Sequence, residues 1–245
     1  MTAPLDFSHD GFRRLLTLIR EHGYEVRRLD DRFRPEDRRT VFLRFDVDIS
    51  PRNALALGRI AAEIGCCASF FFQLNAETYN GFAPSTLEVI RELRDRGHCV
   101  GLHVDQRLTG DEEAEITQTL KWFQRCVAPI DPVVSFHRPG PSVLGRRYRA
   151  FHNAYAAETF EADRYLSDSR RSLAFQATLL AWLEEGRSPI QLLLHPEWWQ
   201  HAPSVEAIWN EILARREREL ELYLAENFAK VFGHLVAHED RDFRL

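Results

Sequence analysis

The chain has 245 residues, and its hydrophobic fraction of 44% is typical of a globular protein with a sizeable core. Its 32 basic and 37 acidic residues give a net charge of -5, a balance that speaks against nucleic-acid binding. No apolar run approaches the ~20 residues of a membrane span, and the first residues lack the pattern of a signal peptide. We therefore expect a cytoplasmic protein with one domain over residues 1–245.

Strands and helices alternate along the chain. Apolar residues at helical spacing, with Gly or Pro near the ends, mark the helices, and short apolar runs mark the strands. In chain order, the patterns predict a helix over Asp6–His22, a strand over Val41–Asp48, a helix over Ser50–Gly65, a strand over Ala68–Phe72, a helix over Pro84–Arg96, a strand over His98–His103, a helix over Asp111–Val127, strands over Pro132–Phe136 and Arg164–Leu166, a helix over Leu173–Glu185, a strand over Pro189–His195 and a helix over Ser204–Phe232.

The repeated β-α units predict a parallel sheet. Six or seven such units in one domain favour a distorted (β/α) barrel with about seven parallel strands, and an open doubly wound sheet is the alternative. The sequence has no Gly-rich phosphate loop, which speaks against a dinucleotide site. In a barrel of this kind, functional side chains are expected at the carboxyl ends of the strands.

Two carboxylates interrupt the first apolar strand, in the segment FDVD. Asp46 and Asp48 are two residues apart and therefore point to the same side of the strand. Burying both is costly without a cation, so one reading is that one carboxylate binds a metal and the other acts as a base. The alternative is structural: one caps the next helix, and the other pairs with Arg44 or Arg52.

Histidines end two further strands. In HCVGLHVD, His103 is a candidate metal ligand, and Gly101 permits close approach of another chain. In VVSFHRPGPS, His137 is a second candidate ligand, and Arg138 is suited to orienting a carboxylate through two hydrogen bonds. The alternative for this segment is a rigid loop with an exposed arginine and a capping histidine.

The last predicted strand ends in LLLHPEWW. His195 is a candidate general acid, and Trp198 is a candidate for stacking on a sugar, although packing against the last helix is the alternative. Asp168, in RYLSDSR, is placed to orient His195 or pair with Arg138, or else it is a turn residue. Asn75, after the strand at Phe72, is expected in a substrate loop.

The order of these segments resembles the polysaccharide deacetylase (NodB-homology) superfamily, over roughly Thr40 to Trp199. The resemblance implies a distorted barrel of about seven strands and an uncharacterised branch with D-V-D, G-L-H and H-P-x-x-W motifs. It also implies roles for individual residues: Asp46 as base, Asp48 and His103 as metal ligands, Arg138 and Asp168 as orienting residues, and His195 as general acid.

One position departs from the superfamily pattern. A second histidine is expected four residues after His103, and Arg107 stands there, which cannot bind a metal. The third ligand is then His137 as first choice, or Asp105. Asp48, His103 and His137 with a water would make an open catalytic site of the zinc type.

The expected function is therefore metal-dependent removal of an N-acyl group, acetyl above all, from an amino sugar, a nucleotide-sugar or another glycan precursor, with a divalent metal, zinc first. The partner would be a carbohydrate or another small N-acylated compound. The alternatives are a catalytically impaired glycan-binding protein, a metal-dependent hydrolase of another small C–N amide, and a scaffold protein. The helix over Ser204–Phe232 also leaves a homodimer open.

Overall fold

The computed structural model describes residues 5–30, 39–126, 128–200 and 204–236. Backbone contacts group the chain into two units, Met1–His201 and Ala202–Leu245, and each is described on its own. The predicted single domain over residues 1–245 stays a prediction. Among the described helices, none combines the length and the apolar content that crossing a membrane requires.

The first unit contains the sheet and six helices, and the second contains two helices, within the described residues. The strands are β1 (Glu25–Arg27), β2 (Thr40–Val47), β3 (Ser69–Phe72), β4 (Cys99–Asp105), β5 (Val133–His137), β6 (His152–Asn153), β7 (Tyr165–Ser167) and β8 (Ile190–Leu194). The helices are α1 (His9–Glu21), α2 (Pro51–Glu63), α3 (Pro84–Asp95), α4 (Gln106–Thr109), α5 (Glu113–Cys126), α6 (Phe175–Glu184), α7 (Val205–Asn227) and α8 (Ala229–Phe232). Every predicted strand and helix overlaps one of these.

The strands form one parallel sheet in the order β6-β5-β4-β3-β2-β8-β7, and β1 also pairs with β2. One edge of β2 pairs with β8. The other edge is shared, because β1 pairs with the first residues of β2 and β3 pairs with the last ones. The parallel sheet predicted from the β-α repeats is confirmed.

Contacts across the sheet show that it is strongly curled. Arg44 on β2 donates a hydrogen bond of 2.7 Å to Ser135 on β5, three strands away. In a flat sheet these strands would lie about 14 Å apart. The Gln191 side chain on β8 likewise donates to the carbonyl of Ala154, next to β6, at 3.0 Å. The sheet is therefore a distorted barrel, as predicted, and within the described residues β6 and β7 remain its unpaired edges.

Local sequence explains how the helices are placed around the curled sheet. Ser8 caps α1 by accepting from the backbone N–H of Gly11 at 2.9 Å, and the apolar face of α1, which includes Phe12, is buried. Ser50 caps α2 in the same way, accepting from Asn53, and Pro51 occupies its first turn. The start of α2 thus lies directly after the carboxylates that end β2.

Candidate metal centre

Acidic and histidine side chains meet at the carboxyl ends of the strands. Asp48 follows β2, His103 lies near the end of β4, and His137 ends β5. His195 follows β8, the neighbour of β2 on its other edge. The structure brings these four side chains to one end of the barrel, which is the end where the sequence analysis expected the chemistry.

Three donor atoms lie close together at this end. Oδ1 of Asp48 is 3.2 Å from Nε2 of His103 and 3.2 Å from Nδ1 of His137, and the two ring nitrogens are 3.3 Å apart. Donors placed about 2.1 Å from a tetrahedral ion lie about 3.4 Å from one another. One carboxylate and two imidazoles are ligands that zinc accepts. The three residues therefore fit one divalent ion with a fourth position left open.

The orientation of His103 follows from Ser135, its register partner on β5. The hydroxyl of Ser135 accepts from Arg44 at 2.7 Å and donates to Asp46 at 3.1 Å. That hydroxyl has one proton, so it accepts from Nδ1 of His103, which lies 2.7 Å away. Nδ1 therefore carries a ring proton, and Nε2 is the nitrogen that faces the centre, where it would present its lone pair to a bound ion.

A glutamine that the sequence analysis missed also reaches the centre. Gln73 follows β3, and its side-chain amide donates to Oδ1 of Asp48 at 2.8 Å and lies 3.5 Å from Nδ1 of His137. Burial raises the pKa of Asp48, but hydrogen bonds from His103 and His137 outweigh it and lower the pKa far below its usual range. Asp48 is therefore ionised at neutral pH, as a metal ligand must be.

Asp46 lies behind these donors and is held by a buried arginine. Nε and Nη2 of Arg44 donate to its two oxygens at 2.9 and 2.7 Å. The guanidinium also lies over the ring of Tyr155, 4.3 Å from its centroid. Burial would raise the pKa of Asp46, but the charge of Arg44 and then that of His103 lower it. Asp46 is thus a buried carboxylate that stays ionised, with Oδ2 at 3.7 Å from Nε2 of His103.

Arg138 does not contact the carboxylates that the resemblance implies it orients. Its side chain is exposed, and among the described residues it has no hydrogen bond or ion pair with Asp46 or Asp168. The guanidinium that bonds Asp46 belongs to Arg44, the pairing that the structural alternative named. Arg138 also has a left-handed backbone, with φ of 53°.

His195 is paired with Asp168 on the other side of the centre. Oδ1 of Asp168 accepts from Nδ1 of His195 at 2.6 Å, while Oδ2 accepts from the His195 backbone N–H and from Nε1 of Trp199. Burial lowers the pKa of His195, but the hydrogen bond and charge of Asp168 raise it, to about 9 in total. Nε2 of His195 lies 4.0 Å from Oδ2 of Asp48, so the ring faces the donor group.

Glu197 is a second residue that the sequence analysis did not single out. It follows His195 by two residues, is 1% exposed, and its Oε2 has no hydrogen-bond partner among the described residues. Burial raises the pKa of Glu197 to about 8. The only signal in the sequence was an acidic residue inside the apolar segment LLLHPEWW.

The alternative third ligand, Asp105, is turned to another partner. Arg107 donates to its two oxygens at 3.1 and 2.6 Å, and its backbone N–H also bonds Asp105, which caps α4. These bonds lower the pKa of Asp105 to about 2. Between the two alternatives, His137 is the residue that lies with Asp48 and His103.

The two predicted substrate residues occupy different positions. Trp198 is partly buried, and its ring centroid lies 6.5 Å from that of His195, with an indole N–H that has no partner among the described residues. Asn75 is exposed in the loop after β3 and makes no hydrogen bond to the described residues of the centre. Trp198 therefore borders the centre through His195, whereas nothing ties Asn75 to it.

A second group of possible ligands lies at the opposite end of the sheet. It consists of Asp30, Cys99 and Asp131. Arg28 and Arg94 form ion pairs with the two carboxylates, at 3.1 and 2.6 Å. Burial raises the pKa of the Cys99 thiol well above its usual value, which disfavours the thiolate that a metal needs. The charges of both carboxylates in this group are therefore neutralised by arginines.

Comparisons with known proteins returned one structure. No family model matches the chain, and no curated protein matches it. Among solved structures, the fold is similar to that of a peptidoglycan deacetylase from Bdellovibrio bacteriovorus, with 16% sequence identity and a TM-score of 0.42. The similarity covers 87% of this chain and 55% of that protein, so the chain spans about half of its length.

Proposed function

We propose that the chain is a metal-dependent hydrolase that removes an N-acyl group, acetyl above all, from an amino sugar or a glycan precursor. The observation that carries the proposal is the group formed by Asp48, His103 and His137. On one side it has a carboxylate that stays ionised, Asp46, and on the other a histidine whose pKa is raised, His195. A ligand set between a base and an acid suits amide hydrolysis.

Zinc is the ion that we propose for this group. The separations of 3.2 to 3.3 Å among the donors match a tetrahedral ion, and Ser135 fixes the His103 tautomer that zinc requires. Such an ion, when bound, polarises a carbonyl and lowers the pKa of water to about 7.

Asp46 would accept the proton of the attacking water. Because Arg44 keeps it ionised, it is ready to accept a proton at any pH near neutral. The lowered pKa makes it a weak base, so its contribution comes mainly from its position beside His103. Arg44 and Ser135 hold that position through bonds to both carboxylate oxygens.

His195 would protonate the leaving amine. At neutral pH its ring is charged, because Asp168 raises its pKa to about 9. Asp168 also fixes the ring through Nδ1, so that Nε2 is the nitrogen that faces the centre. Trp198, next to His195, would offer its ring to the sugar.

One observation favours a second candidate function, glycan binding without catalysis. Both oxygens of Asp46 are already bonded, by Arg44 and by Ser135, which leaves little room for a proton acceptor. In such a protein, the centre would bind an N-acylated sugar without cleaving it.

Acetate release separates these possibilities. We expect the zinc-loaded protein to release acetate from at least one N-acetylated amino sugar, and Asp46→Asn to lower kcat by at least ~100-fold, the range of general base catalysis. Asp163→Asn, an exposed aspartate bonded to Arg164, is the matched control and should keep full activity. Binding of sugars without acetate release would favour the glycan-binding candidate, and release of acyl groups only from small non-sugar amides would favour another C–N hydrolase.

A further inference from the structure

Arg138 directly follows β5 and has no structural partner among the residues that the structure describes. The carboxylate of Asp46 is held by Arg44, and that of Asp168 by His195 and Trp199. Neither of these carboxylates therefore pairs with Arg138, although Arg138 follows the proposed ligand His137 directly. Its guanidinium is exposed and, within the described ranges, has no hydrogen bond or ion pair.

A second exposed arginine without a described partner, Arg170, follows β7. Arg170 lies two residues beyond Asp168, which places their Cα atoms within about 7 Å of each other. It is exposed and has no ion pair or hydrogen bond in the part of the chain that the structure describes. Through Asp168, this segment adjoins His195, whose ring lies 4.0 Å from Asp48.

Both arginines have a backbone conformation that their residue type disfavours. Arg138 has φ of 53° and Arg170 has φ of 62°. Left-handed backbone is open to glycine without cost and is uncommon for other residues, asparagine and aspartate being the usual exceptions. Arg39 and Arg171 also have positive φ, of 58° and 53°, but their guanidiniums lie over the rings of Tyr24 and Phe7. Arg138 and Arg170 have no such contact among the described residues, so their guanidiniums are available to a ligand.

The curl of the sheet brings its β6 edge close to its β7 edge. The ring of Phe160 contacts both Tyr155, next to β6, and Tyr165, on β7, at centroid distances of 4.8 and 4.6 Å. The β5–β6 side, which carries Arg138, thus faces the β7 side, which carries Arg170.

Arg138 and Arg170 add two positive charges to the loops at this end of the sheet, although the whole chain has a net charge of -5. The neighbouring pair Asp105–Arg107 neutralises itself through a contact of 2.6 Å. Two unpaired guanidiniums beside a recessed centre attract anions, and their planar forks match the oxygens of phosphate or carboxylate groups.

We propose that Arg138 and Arg170 bind an oxyanion on the substrate, so that the N-acylated sugar carries a phosphate or a carboxylate. This inference rests on the proposed function, because it takes the donor group as the place where the acyl group is cleaved. A phosphate would come from a sugar phosphate or nucleotide-sugar, and a carboxylate from a uronic acid.

The test compares three probes: N-acetylglucosamine, its 1-phosphate, and the corresponding uronic acid. In the parent protein, kcat/KM for one of the two anionic probes should exceed that for the neutral sugar by about tenfold or more, as a charge-assisted pair allows. In Arg138→Gln/Arg170→Gln, this ratio should fall to near one. Which anionic probe is preferred identifies the source of the oxyanion.

Arg149→Gln is the matched control, because Arg149 is an exposed arginine before β6, at the amino end of the sheet, and the preference should survive in it. Equal kcat/KM for all three probes in the parent, or a preference that survives in the double variant, would overturn the inference.

Calorimetric binding of the same probes separates the failure of this inference from the failure of the proposed function. If no probe releases acetate, tighter anionic binding that disappears in the double variant still supports the oxyanion site, and equal or undetectable binding rejects it.

Discussion

Asp168 determines the protonation state of the residue that we assign as the acid. It accepts from Nδ1 of His195 at 2.6 Å, and its charge outweighs the burial that would otherwise lower the pKa of that ring. The resulting pKa of about 9 means that His195 is charged below that pH and loses its proton as the pH rises through it. Activity that depends on the protonated ring should therefore fall on the alkaline side.

Replacing Asp168 by Asn should move this alkaline decline in activity, the alkaline limb of the pH profile, to lower pH. Asn retains an oxygen that can accept from Nδ1 of His195 but removes the charge, so burial then acts against the protonated ring. We expect the limb of the kcat/KM profile to start near pH 9 in the parent and to move down by roughly two units in the variant. A profile of acetate release against pH checks this.

The NMR titration of the His195 ring gives the same information without activity. Its pKa should fall in Asp168→Asn and stay unchanged in Asp163→Asn, where an exposed carboxylate bonded to Arg164 is removed. An alkaline limb and a ring pKa that do not move in Asp168→Asn would contradict the assigned pairing.

The ion pair of Arg44 and Asp46 should matter for stability as well as chemistry. Both side chains are buried, with 0% and 4% exposed. Removing one partner of a buried pair leaves an uncompensated charge, which typically costs about 3–5 kcal/mol. We expect Arg44→Gln to lower the free energy of unfolding by that amount, measured by urea denaturation.

Two further variants serve as controls for this prediction. Arg138→Gln changes an exposed arginine without a described partner, and we expect a change within about 0.5 kcal/mol. Arg44→Met combined with Asp46→Leu removes both charges and should recover much of the loss. A free energy of unfolding for Arg44→Gln equal to that of the parent would show that the pair is not buried as described.

Most side chains of the centre were predictable from the sequence, but their hydrogen-bond partners were not. The spacing of Asp46 and Asp48 and the histidines at strand ends were sufficient to place these residues at one face. Whether Arg44 or Arg138 bonds Asp46 depends on which guanidinium the curled sheet buries, and no local pattern encodes that. Gln73 and Glu197 carry no spacing signal, since Gln73 reaches Asp48 from another strand and Glu197 is distinguished by its burial.

At the element scale, Gly101 controls how closely β4 approaches β5. A Cβ added at this position would lie 2.4 Å from the carbonyl oxygen of Val133 and 3.1 Å from the ring of Phe71. Gly101 was expected to permit close approach of another chain, and in the structure it is β5 of the same chain that comes close. Because His103 follows two residues later and pairs in register with Ser135, the spacing of these strands also positions the centre.

Gly101→Ala should therefore both destabilise the protein and disturb the donor group. Overpacking of this kind typically costs about 1–3 kcal/mol, and the shift of β4 should weaken zinc binding by moving His103. Gly140→Ala is the control, because its Cβ would meet only the flexible end of Gln106, at 3.2 Å. Urea denaturation and zinc titration measure the two effects. Unchanged stability and zinc affinity in Gly101→Ala would contradict the close approach.

The long strands and helices were predictable because each has its own pattern, while the shortest elements were not. β1 has three residues and β6 has two, so neither shows an alternation that distinguishes it from a loop. Both exist through pairing with β2 and β5. The helix predicted over Ser204–Phe232 is interrupted at Phe228, where φ of -123° and ψ of 41° leave the helical region.

The curl of the sheet creates the candidate centre. Asp48 on the β2 side, His103 and His137 on β4 and β5, and His195 beyond β8 would be spread along the edge of a flat sheet. The β-α repeats predicted parallel strands, but the closeness of these side chains depends on the curvature that brings β2 within hydrogen-bonding distance of β5.

The measurement that tests the proposal most directly is the metal content of the purified chain after reconstitution with zinc. We predict about one ion per chain, lost in His103→Ala and in His137→Ala but retained in Asp105→Ala, because Arg107 holds Asp105. Circular dichroism of each variant confirms that the fold is kept. A parent that binds no ion after reconstitution with zinc, cobalt or manganese, or an ion that persists in both histidine variants, would contradict the metal centre.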